Sequence, residues 1–370
     1  MPQARVLVNG AERPETGLEQ FSLTRTRYSR ADTLDLSFAL DRSKIPTSGL
    51  WFDVKATAGT TALPDIDVQL QMRDAAVAGA QWTTLFQGIV DHVDFSPAET
   101  SVTIQCRDYL AKLLDLRVLD GWLNMTGPGV VTAMIRAAGL TPQVSMADGM
   151  TGQFWQIEHK RKSASSHSRF QTAFDLASYL ANMTGCDLFA EGKTIVCAPY
   201  PSAKTGVVHT LNYKDLGPNS PLIMGASGLR FSRDYQIAKG VIVHVASWDS
   251  RQRSKVEYYW SADGGSTKKA LANGNLHSFT LPDARLEQVQ SYAKSKYDQI
   301  VAHERTITGT IPGRFTLEPR HFMALSGTGT TWDGTHDVDA VSSSFSWGGS
   351  FTQAITLRTR DATKSETYDA

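Results

Sequence analysis

The sequence predicts a mainly β protein in which two similar β-barrels flank a small α+β domain. Apolar and polar side chains alternate with period two in the first third of the chain, helical spacing follows, and strand patterns return from Gly228 onward. Many short strands without a long helix are typical of a barrel or a sandwich. The expected domains are a first barrel over 1–115, an α+β insert over 116–222 and a second barrel over 223–370 with one inserted helix near 283–303.

The first barrel is predicted from strands with one apolar face. In the segment 34–40, Leu34, Leu36, Phe38 and Leu40 point to one side and polar or small residues to the other. Six strands are expected in this region: Arg5–Val8 before the Asn9-Gly10 turn, Leu34–Leu40, Trp51–Lys55, Ile66–Met72, Leu85–Phe95 and Val102–Cys106.

The insert is predicted from helices and one hairpin. Leu110, Leu113 and Leu114 begin the helical spacing, and a helix over Pro128–Ala138 starts at a proline and ends before Gly139. The hairpin joins strands Asp187–Ala190 and Thr194–Ala198.

The strongest helix signal lies over Ser168–Thr184. Ser168 and Gln171 form a capping box, and Gly185 supplies the stop. The apolar stripe of this helix consists of Phe170, Phe174, Ala177 and Ala181.

The last third is predicted as sheet interrupted by one helix. Val241–Val245 is apolar on both faces except at His244, which indicates a strand buried on both sides or lying at a domain contact. The helix runs over Asp283–His303 with Thr280 and Asp283 as its cap. Its buried stripe is expected to consist of Leu286, Val289, Ala293, Tyr297 and Ile300.

Composition excludes several classes of protein. The 37 Lys and Arg residues balance the 37 Asp and Glu residues, so no net charge draws the chain to nucleic acid or to an anionic membrane. Hydrophobic residues make up 41% and charged residues 20%, which fits neither disorder nor a fibrous repeat. No signal peptide or long apolar run is seen, so no membrane insertion is expected. Cys106, Cys186 and Cys197 lack metal-knuckle spacing and fit folding in a reducing cytoplasm.

Motifs for nucleophilic catalysis or phosphate binding are weak. Gly225-Ala226-Ser227-Gly228 lacks the spacing of a nucleophile elbow. The stretch 264–269, Gly-Gly-Ser-Thr-Lys-Lys, lacks the spacing of a P-loop, and a hairpin turn explains it.

Two clusters place carboxylates beside imidazoles and invite a metal interpretation, namely 91–94 (Asp-His-Val-Asp) and 336–339 (His-Asp-Val-Asp). Adjacent residues of a strand point to opposite faces, so each cluster offers one or two ligands in one direction, and structural polar positions are favoured. A carboxylate pair for sugar hydrolysis is a tertiary property that stays open. No catalytic, cofactor-binding or metal-binding residue is assigned.

One basic run and a few aromatic residues are candidate contact surfaces. The run 159–169 contains His159-Lys160-Arg161-Lys162 and would suit DNA phosphates or an acidic protein face, although a solvated loop is the favoured interpretation. Interface anchoring and ordinary strand packing both fit the aromatic residues Trp155, Tyr258, Tyr259 and Trp260.

An internal repeat is the most informative feature. Residues 102–108 (Val-Thr-Ile-Gln-Cys-Arg-Asp) match residues 355–361 (Ile-Thr-Leu-Arg-Thr-Arg-Asp) position by position. The same order of signals precedes each copy: Trp82, Gly88, Val90 and Val93 in the first, and Trp332, Gly334, Val338 and Val341 in the second. A duplicated β domain is therefore predicted. Three chains with two barrels each would present six similar surfaces, which lets a threefold assembly dock onto a sixfold tube.

These residues carry a family resemblance. The stretch 86–93 leading into 103–108, together with 313–361 containing Trp332-Asp333-Gly334 and the segment 348–351 (Gly-Gly-Ser-Phe), resembles the bacteriophage baseplate hub family. That family includes the phage late control D proteins, the Mu-type tail hub and the hub portion of VgrG. The resemblance covers most of the chain in element order. It implies no catalytic residues, and because no fused spike domain follows the second barrel, it implies a separate spike polypeptide.

The resemblance implies a structural late protein of the virion tail baseplate, assembled in the host cytoplasm. Its expected form is a homotrimeric, pseudo-sixfold ring that joins the tail tube to the central spike and leaves a channel for DNA ejection. The expected partners are other copies of the chain, the spike protein, the tail tube protein or a tail terminator-proximal tube protein, and a tape measure protein, with DNA only as transient cargo. The alternatives are a tail-associated peptidoglycan hydrolase and the hub of a contractile secretion system or tailocin.

Overall fold

The computed structural model describes residues 2–27, 31–45, 49–55, 63–118, 125–147, 171–217, 220–249, 253–268, 274–281 and 284–359. Strands dominate, and most of them join one large sheet whose neighbours are almost all antiparallel. The predicted fold class is confirmed: two similar β units lie on either side of a small α+β unit.

The first β unit contains seven strands in the described part of the chain. They are β1 Pro2–Val8, β2 Ala11–Glu12, β3 Thr16–Thr26, β4 Thr33–Leu40, β5 Asp67–Asp74, β6 Thr83–Ser96 and β7 Ser101–Asp108. Their order in the sheet is β3-β4-β7-β6-β5-β1-β2. Inward side chains from β1, β3, β4, β5, β6 and β7 share one apolar core, which requires the sheet to curl on itself as a barrel does.

One predicted strand of this unit is wrong, and one long strand is absent from the prediction. Trp51–Lys55 is not a strand: the chain turns there, and Trp51 is packed into the barrel core with its ring in a T-shaped contact with Phe52. The strand β3 escaped prediction because a bulge between Leu18 and Gln20 breaks its alternation, and because its inward positions include a buried arginine, Arg25.

The α+β unit follows β7. Its elements are α1 Ala111–Asp115, α2 Gly127–Ala137, β8 Thr141–Val144, α3 Ala173–Met183, β9 Cys186–Glu191 and β10 Thr194–Pro199. The sheet order is β8-β10-β9, with β9 and β10 forming the predicted hairpin. The apolar faces of the three helices pack on this sheet.

The helix α3 begins later than predicted. Its N-cap is Thr172, whose hydroxyl accepts a hydrogen bond from the Asp175 amide at 3.1 Å, so Gln171 precedes the helix. Ser168 and Phe170 lie outside the described residues. The predicted stop at Gly185 is correct, since that glycine adopts a φ of 68°.

The second β unit also contains seven strands among the described residues. They are β11 Val208–Lys214, β12 Ile223–Met224, β13 Ser227–Arg233, β18 Arg305–Pro312, β19 Phe322–Ser326, β20 Gly334–Ser346 and β21 Phe351–Arg358. The unit begins with β11, which precedes the boundary expected at 222.

The second barrel carries a larger insertion than predicted. In the described part of the chain, a separate four-stranded sheet and two helices lie between β13 and β18, rather than one helix alone. Its elements are α4 Tyr235–Ala238, β14 Val241–Asp249, β15 Ser254–Ser261, β16 Gly264–Ser266, β17 Asn275–Thr280 and α5 Leu286–Val301. Strand β14 is the predicted doubly buried strand. Helix α5 is capped at Arg285 and exposes Leu286, which the predicted stripe placed inside, and Asp283 lies outside the described residues.

The two barrels follow the same strand path. The second reads β13-β18-β21-β20-β19-β11-β12, which repeats the first barrel's order strand by strand and in the same chain order. One difference lies in direction: β1 pairs antiparallel with β5, whereas β11 pairs parallel with β19. The insertion between β13 and β18 occupies the place of the short β3–β4 connection.

The structure aligns the last strands of the two barrels two residues away from the alignment that the sequence match gives. Each hairpin has a one-residue bulge, at Asp91 between Val90 and His92 and at Asp339 between Val338 and Ala340. Because Val90 pairs with Cys106 and Val338 pairs with Leu357, the structure equates Cys106 with Leu357, not with Thr359 as the sequence match did. A shift of two keeps every side chain on the same face, so the residue pattern alone did not reveal the error.

Candidate assembly interface

The two barrels are joined by direct strand pairing within the chain. Strand β3 of the first barrel pairs antiparallel with the second part of β20, from Ala340↔Thr26 to Ser346↔Gln20. Phe21 and Phe345 stack across this seam with ring centroids 5.5 Å apart. The backbone ladder and the aromatic pair make the seam a continuous sheet between neighbouring barrels.

Arg25 extends the seam to the loop before β19. Its Nη2 donates to the Leu317 carbonyl at 2.6 Å, and its Nη1 lies 3.3 Å from a Glu318 carboxylate oxygen. Nη1 also donates to the Leu85 carbonyl at 3.4 Å. One buried guanidinium of β3 therefore binds backbone oxygens of both barrels.

Arg27 connects all three units at the end of β3. Its guanidinium lies 2.7 Å from Asp187 of β9 and 3.1 Å from Asp337 of β20, and none of its side chain is exposed. Its backbone amide donates to the Asp339 carbonyl at 2.8 Å. Removing any one member of a buried ion triad destabilises the fold strongly, because the remaining charges stay desolvated without their partner.

A cleft of about 670 Å³ opens beside this triad, where the two barrels meet the α+β unit. Charged residues line it, among them Arg25, Asp32, Asp108, Glu318 and Arg320. The guanidinium of Arg320 lies 3.8 Å from the Phe189 ring centre, and its Nε is 3.8 Å from Asp187.

Two carboxyl groups in the cleft have raised pKa values. Burial raises the pKa of Asp108 to about 8, and the adjacent Asp32 carboxylate contributes to the rise. Burial also raises the pKa of Asp32. Backbone amides of Asp32 and Leu110 donate to Asp108 at 3.1 and 2.9 Å, which holds the carboxyl in place.

The two clusters considered as metal sites hold ion pairs instead. Asp91 accepts a hydrogen bond from Arg107 Nη2 at 2.9 Å, and Asp339 lies 2.7 Å from Arg358 Nε. These are equivalent contacts, because each bulged aspartate meets the arginine that follows the residue opposite the bulge. Within the described residues, no group of three or more His, Cys, Asp and Glu side chains is placed to hold a metal ion.

The histidines of these two clusters differ in their surroundings: one is buried and hydrogen-bonded, and the other is exposed. His336 is buried, with Nδ1 2.9 Å from the Thr359 hydroxyl and Nε2 2.8 Å from the Trp332 carbonyl. Burial lowers its pKa, so the ring stays neutral in the barrel. His92 is exposed on the outer part of β6.

The other sequence candidates are separate from the junction. Ser227 begins β13, where its hydroxyl donates to the Thr310 carbonyl at 3.3 Å, so it does not sit on a strand-to-helix turn. The glycine pair at 264–265 begins β16 in a hairpin with β15, as expected. Tyr258 and Trp260 pack on the core of the inserted sheet, and Tyr259 stacks on His244 at 4.5 Å. Trp155, Lys269 and the basic run 159–169 lie outside the described residues.

All three cysteines are free and buried. In the part of the chain that the structure describes, no helix is long and apolar enough to cross a bilayer.

Sequence comparison finds no matching family model and no significant match among curated proteins. Solved structures do match. A tail protein from Neisseria meningitidis MC58 aligns with a TM-score of 0.65 at 14% identity over 97% of both chains. A 43 kDa tail protein of prophage MuSo2 from Shewanella oneidensis aligns with a TM-score of 0.61 at 15% identity over 97% of this chain and 98% of that one. The chain has the fold of phage tail proteins.

A solved structure from a type VI secretion system has a similar fold. The Escherichia coli c3393 protein, described as a component of the type VI secretion system with structural similarity to T4 bacteriophage tail proteins gp27 and gp5, aligns with a TM-score of 0.52 at 11% identity. The alignment covers 95% of this chain and 76% of that one. The structural neighbours therefore include tail proteins and a secretion-system component.

Sequence reasoning missed the residues that join the units. Arg25, Arg27 and Asp187 carry no motif, and their partners lie between 60 and 310 positions away along the chain. The available signal was an arginine at an inward position of an alternating strand, since a buried arginine requires a partner.

Proposed function

We propose that this chain is a structural hub protein of a phage-like tail, in which three copies form a pseudo-sixfold ring between the tail tube and a central spike. The observation that carries the proposal is the presence of two barrels with one strand path, joined side by side by the β3–β20 seam. The fold shared with phage tail proteins supports the same role.

Symmetry explains why such a chain would carry two barrels. A tube with six-fold symmetry presents six equal contacts, whereas a spike with three-fold symmetry presents three. Three chains with two equivalent barrels each satisfy both. The partners proposed on this basis are further copies of the chain, a separate spike protein, the tube protein and a tape measure protein. DNA would be only transient cargo in the central channel.

The proposed action is mechanical and not catalytic. The charged groups at the junction bind one another across the three units, as Arg27 binds Asp187 and Asp337, which suits a joint between domains. Zymography on peptidoglycan tests this directly. Clearing that disappears on substitution of one acidic residue would favour the tail-associated hydrolase instead.

A hub of a contractile secretion system or tailocin is a second candidate. The likeness to a type VI secretion component favours it, and its ring would use the same contacts. The genes encoded beside this one distinguish the two, because a virion hub accompanies capsid and packaging genes.

The decisive experiment measures mass and shape. The purified full chain is examined by light scattering and negative-stain imaging, alone and with the spike candidate encoded beside it. A ring with an open centre at three times the 40.5 kDa chain mass is the expected result. A chain that stays monomeric even with the spike would contradict the proposal.

A further inference from the structure

We infer that the outer part of β6 in one copy of this chain pairs with β13 of a second copy, antiparallel and in the register that β20 and β3 adopt within the chain. The inference rests on the proposed ring and adds to it the strands, the register and the residues of the contact between copies.

The two strands are equivalent to the two that form the internal seam. The shared bulge equates residues 92–96 of β6 with residues 340–344 of β20. On the other side, Leu23 of β3 pairs with Leu34, and Phe231 of β13 pairs with Ile307. Leu34 and Ile307 occupy the same position in the two barrels, because each pairs with the residue opposite the bulge. Leu23 is therefore equivalent to Phe231.

Both equivalent edges are open in a single chain. Strand β20 pairs with β21 on one side and with β19 and then β3 on the other. In the described part of the chain, residues 92–96 pair only with β7, and β13 pairs only with β18. An unpaired strand edge is a template for another strand, and neither edge carries a lysine or proline that would block pairing.

Burial shows what the missing neighbour would cover. Three inward residues of β3 are buried, including Leu23 at 0% exposure, whereas β13 has no buried residue and its Leu229 and Phe231 are only half-buried. Val93 and Phe95 on β6 are also half-buried, whereas Val341, the equivalent of Val93, is fully buried. The open edges thus expose apolar surface that the internal seam covers.

The polar faces of the two edges are complementary. The transferred register places His92 opposite Asp234 and Asp94 opposite Ser232, with Arg230 one diagonal step from Asp94. All five residues are exposed in the single chain. Tyr235, which follows directly, is 69% exposed and is the kind of aromatic anchor that protein interfaces use.

These features select a second copy of the chain as the occupant. The two edges are different surfaces of one chain, so each copy offers one β6 edge and one β13 edge. Such a head-to-tail contact forms a ring when its rotation closes, as the proposed pseudo-sixfold arrangement of barrels requires. The internal seam supplies the template, since the same two kinds of edge already pair within the chain.

Cysteine cross-linking tests the register. The variant Asp94→Cys with Ser232→Cys is oxidised with copper phenanthroline or bridged with a short bis-maleimide. Directly opposed residues of antiparallel strands lie close enough for either bond. The three native cysteines are buried and do not compete. Most chains are expected to become covalent species of two and three times the 40.5 kDa chain mass.

Three controls match this variant. Thr24→Cys with Ser342→Cys, the equivalent pair of the internal seam, cross-links within one chain and leaves the mass unchanged. Asp94→Cys with Arg233→Cys, shifted by one residue, places the thiols on opposite faces and stays mostly monomeric. A mixture of the two single variants stops at dimers, because each chain then carries one reactive edge.

The results separate the inference from the proposed function. If the internal pair closes while Asp94→Cys with Ser232→Cys stays monomeric both alone and with the spike, the strand pairing is wrong. Light scattering of the same unlinked sample with the spike then decides the rest: a ring means that copies join through another surface, and a monomer removes the ring as well.

Discussion

The two barrels have the same hairpin with the same bulge and ion pair, yet they hold it in different surroundings. In the second barrel the side chain of Asp339 is 3% exposed, because the end of β3 covers the bulge. In the first barrel the equivalent Asp91 is 30% exposed. The hairpins are alike, so the difference comes from the neighbour. One hairpin already contacts its partner strand, and the other has an open edge.

The same contrast applies at the end of β3. Arg27 there is fully buried between Asp187 and Asp337. The equivalent position at the end of β13 is Tyr235, which is exposed and lies at the start of α4. The covered end of the repeat holds a buried ion triad within one chain, and the open end presents an exposed aromatic ring.

Substituting Arg27 should have the largest effect on stability. Arg27→Met leaves Asp187 and Asp337 buried without their main counter-charge, and it should lower the free energy of unfolding by about 3–5 kcal/mol. The measurement is the first unfolding transition by calorimetry or urea. Tyr235→Ala at the equivalent exposed position should change that transition little. Equal losses in the two variants would mean that the barrels are not held differently.

The bulge ion pairs provide the closest comparison between barrels. Arg358→Ala leaves the buried Asp339 carboxylate poorly compensated and should cost about 1.5–3 kcal/mol. Arg107→Ala breaks the equivalent but partly exposed pair with Asp91 and should cost roughly 0.2–1 kcal/mol. Urea unfolding of both variants of the isolated chain measures the difference. A larger loss for Arg107→Ala would contradict the assignment of the covered and open edges.

Much of the fold was predictable because the barrels obey local rules. Strands such as β4 alternate without interruption, and α2 carries both a starting proline and a final glycine. The prediction failed where contacts with distant parts of the chain, and not local alternation, determine which residues are buried. Strand β3 contains a bulge and an inward Arg25, whose partners lie on other elements.

For the junction between the barrels, the sequence revealed that a β domain is repeated but not which residues of the two copies are equivalent. A period of two makes a shift of two invisible, so the repeat was found but aligned with Thr359 where Leu357 is equivalent to Cys106. The inserted sheet was assigned to the barrel because its strands look the same in sequence as barrel strands. Strand partners are a tertiary property, which the alternation of a single strand does not encode.

The free energy of unfolding should depend on pH through a carboxyl group of the first barrel. Asp108 there is replaced by Thr359 at the equivalent position of the second. The pKa of Asp108 is raised to about 8, above an ordinary value of about 3.9, so the folded chain holds a proton that the unfolded chain releases. The associated stability is present below about pH 4 and is lost as the pH rises through 8.

The variant Asp108→Asn should therefore flatten the pH profile. The wild-type unfolding temperature should fall by a few degrees between about pH 5 and pH 9, and the variant should fall less. Asp32→Asn should flatten it in the same direction, since burial also raises the pKa of Asp32. Parallel profiles in the wild type and both variants would show that these carboxyls do not carry the dependence.

The charges on the open edges should have the smallest effect, and they act on assembly alone. Asp94→Arg places like charges beside Arg230 of the next copy, which should weaken each contact roughly 2–10-fold in dissociation constant. Arg230→Asp should weaken it similarly, and the double exchange should restore it because the pair is reversed. Sedimentation of a concentration series in low and high salt measures the dissociation constants of all three variants, and screening by salt should shrink the differences.

The monomers of these variants should unfold like the wild type, because both side chains are exposed in the single chain. A double variant as weak as the singles would mean that these residues do not face each other, and the open edges would then need another partner.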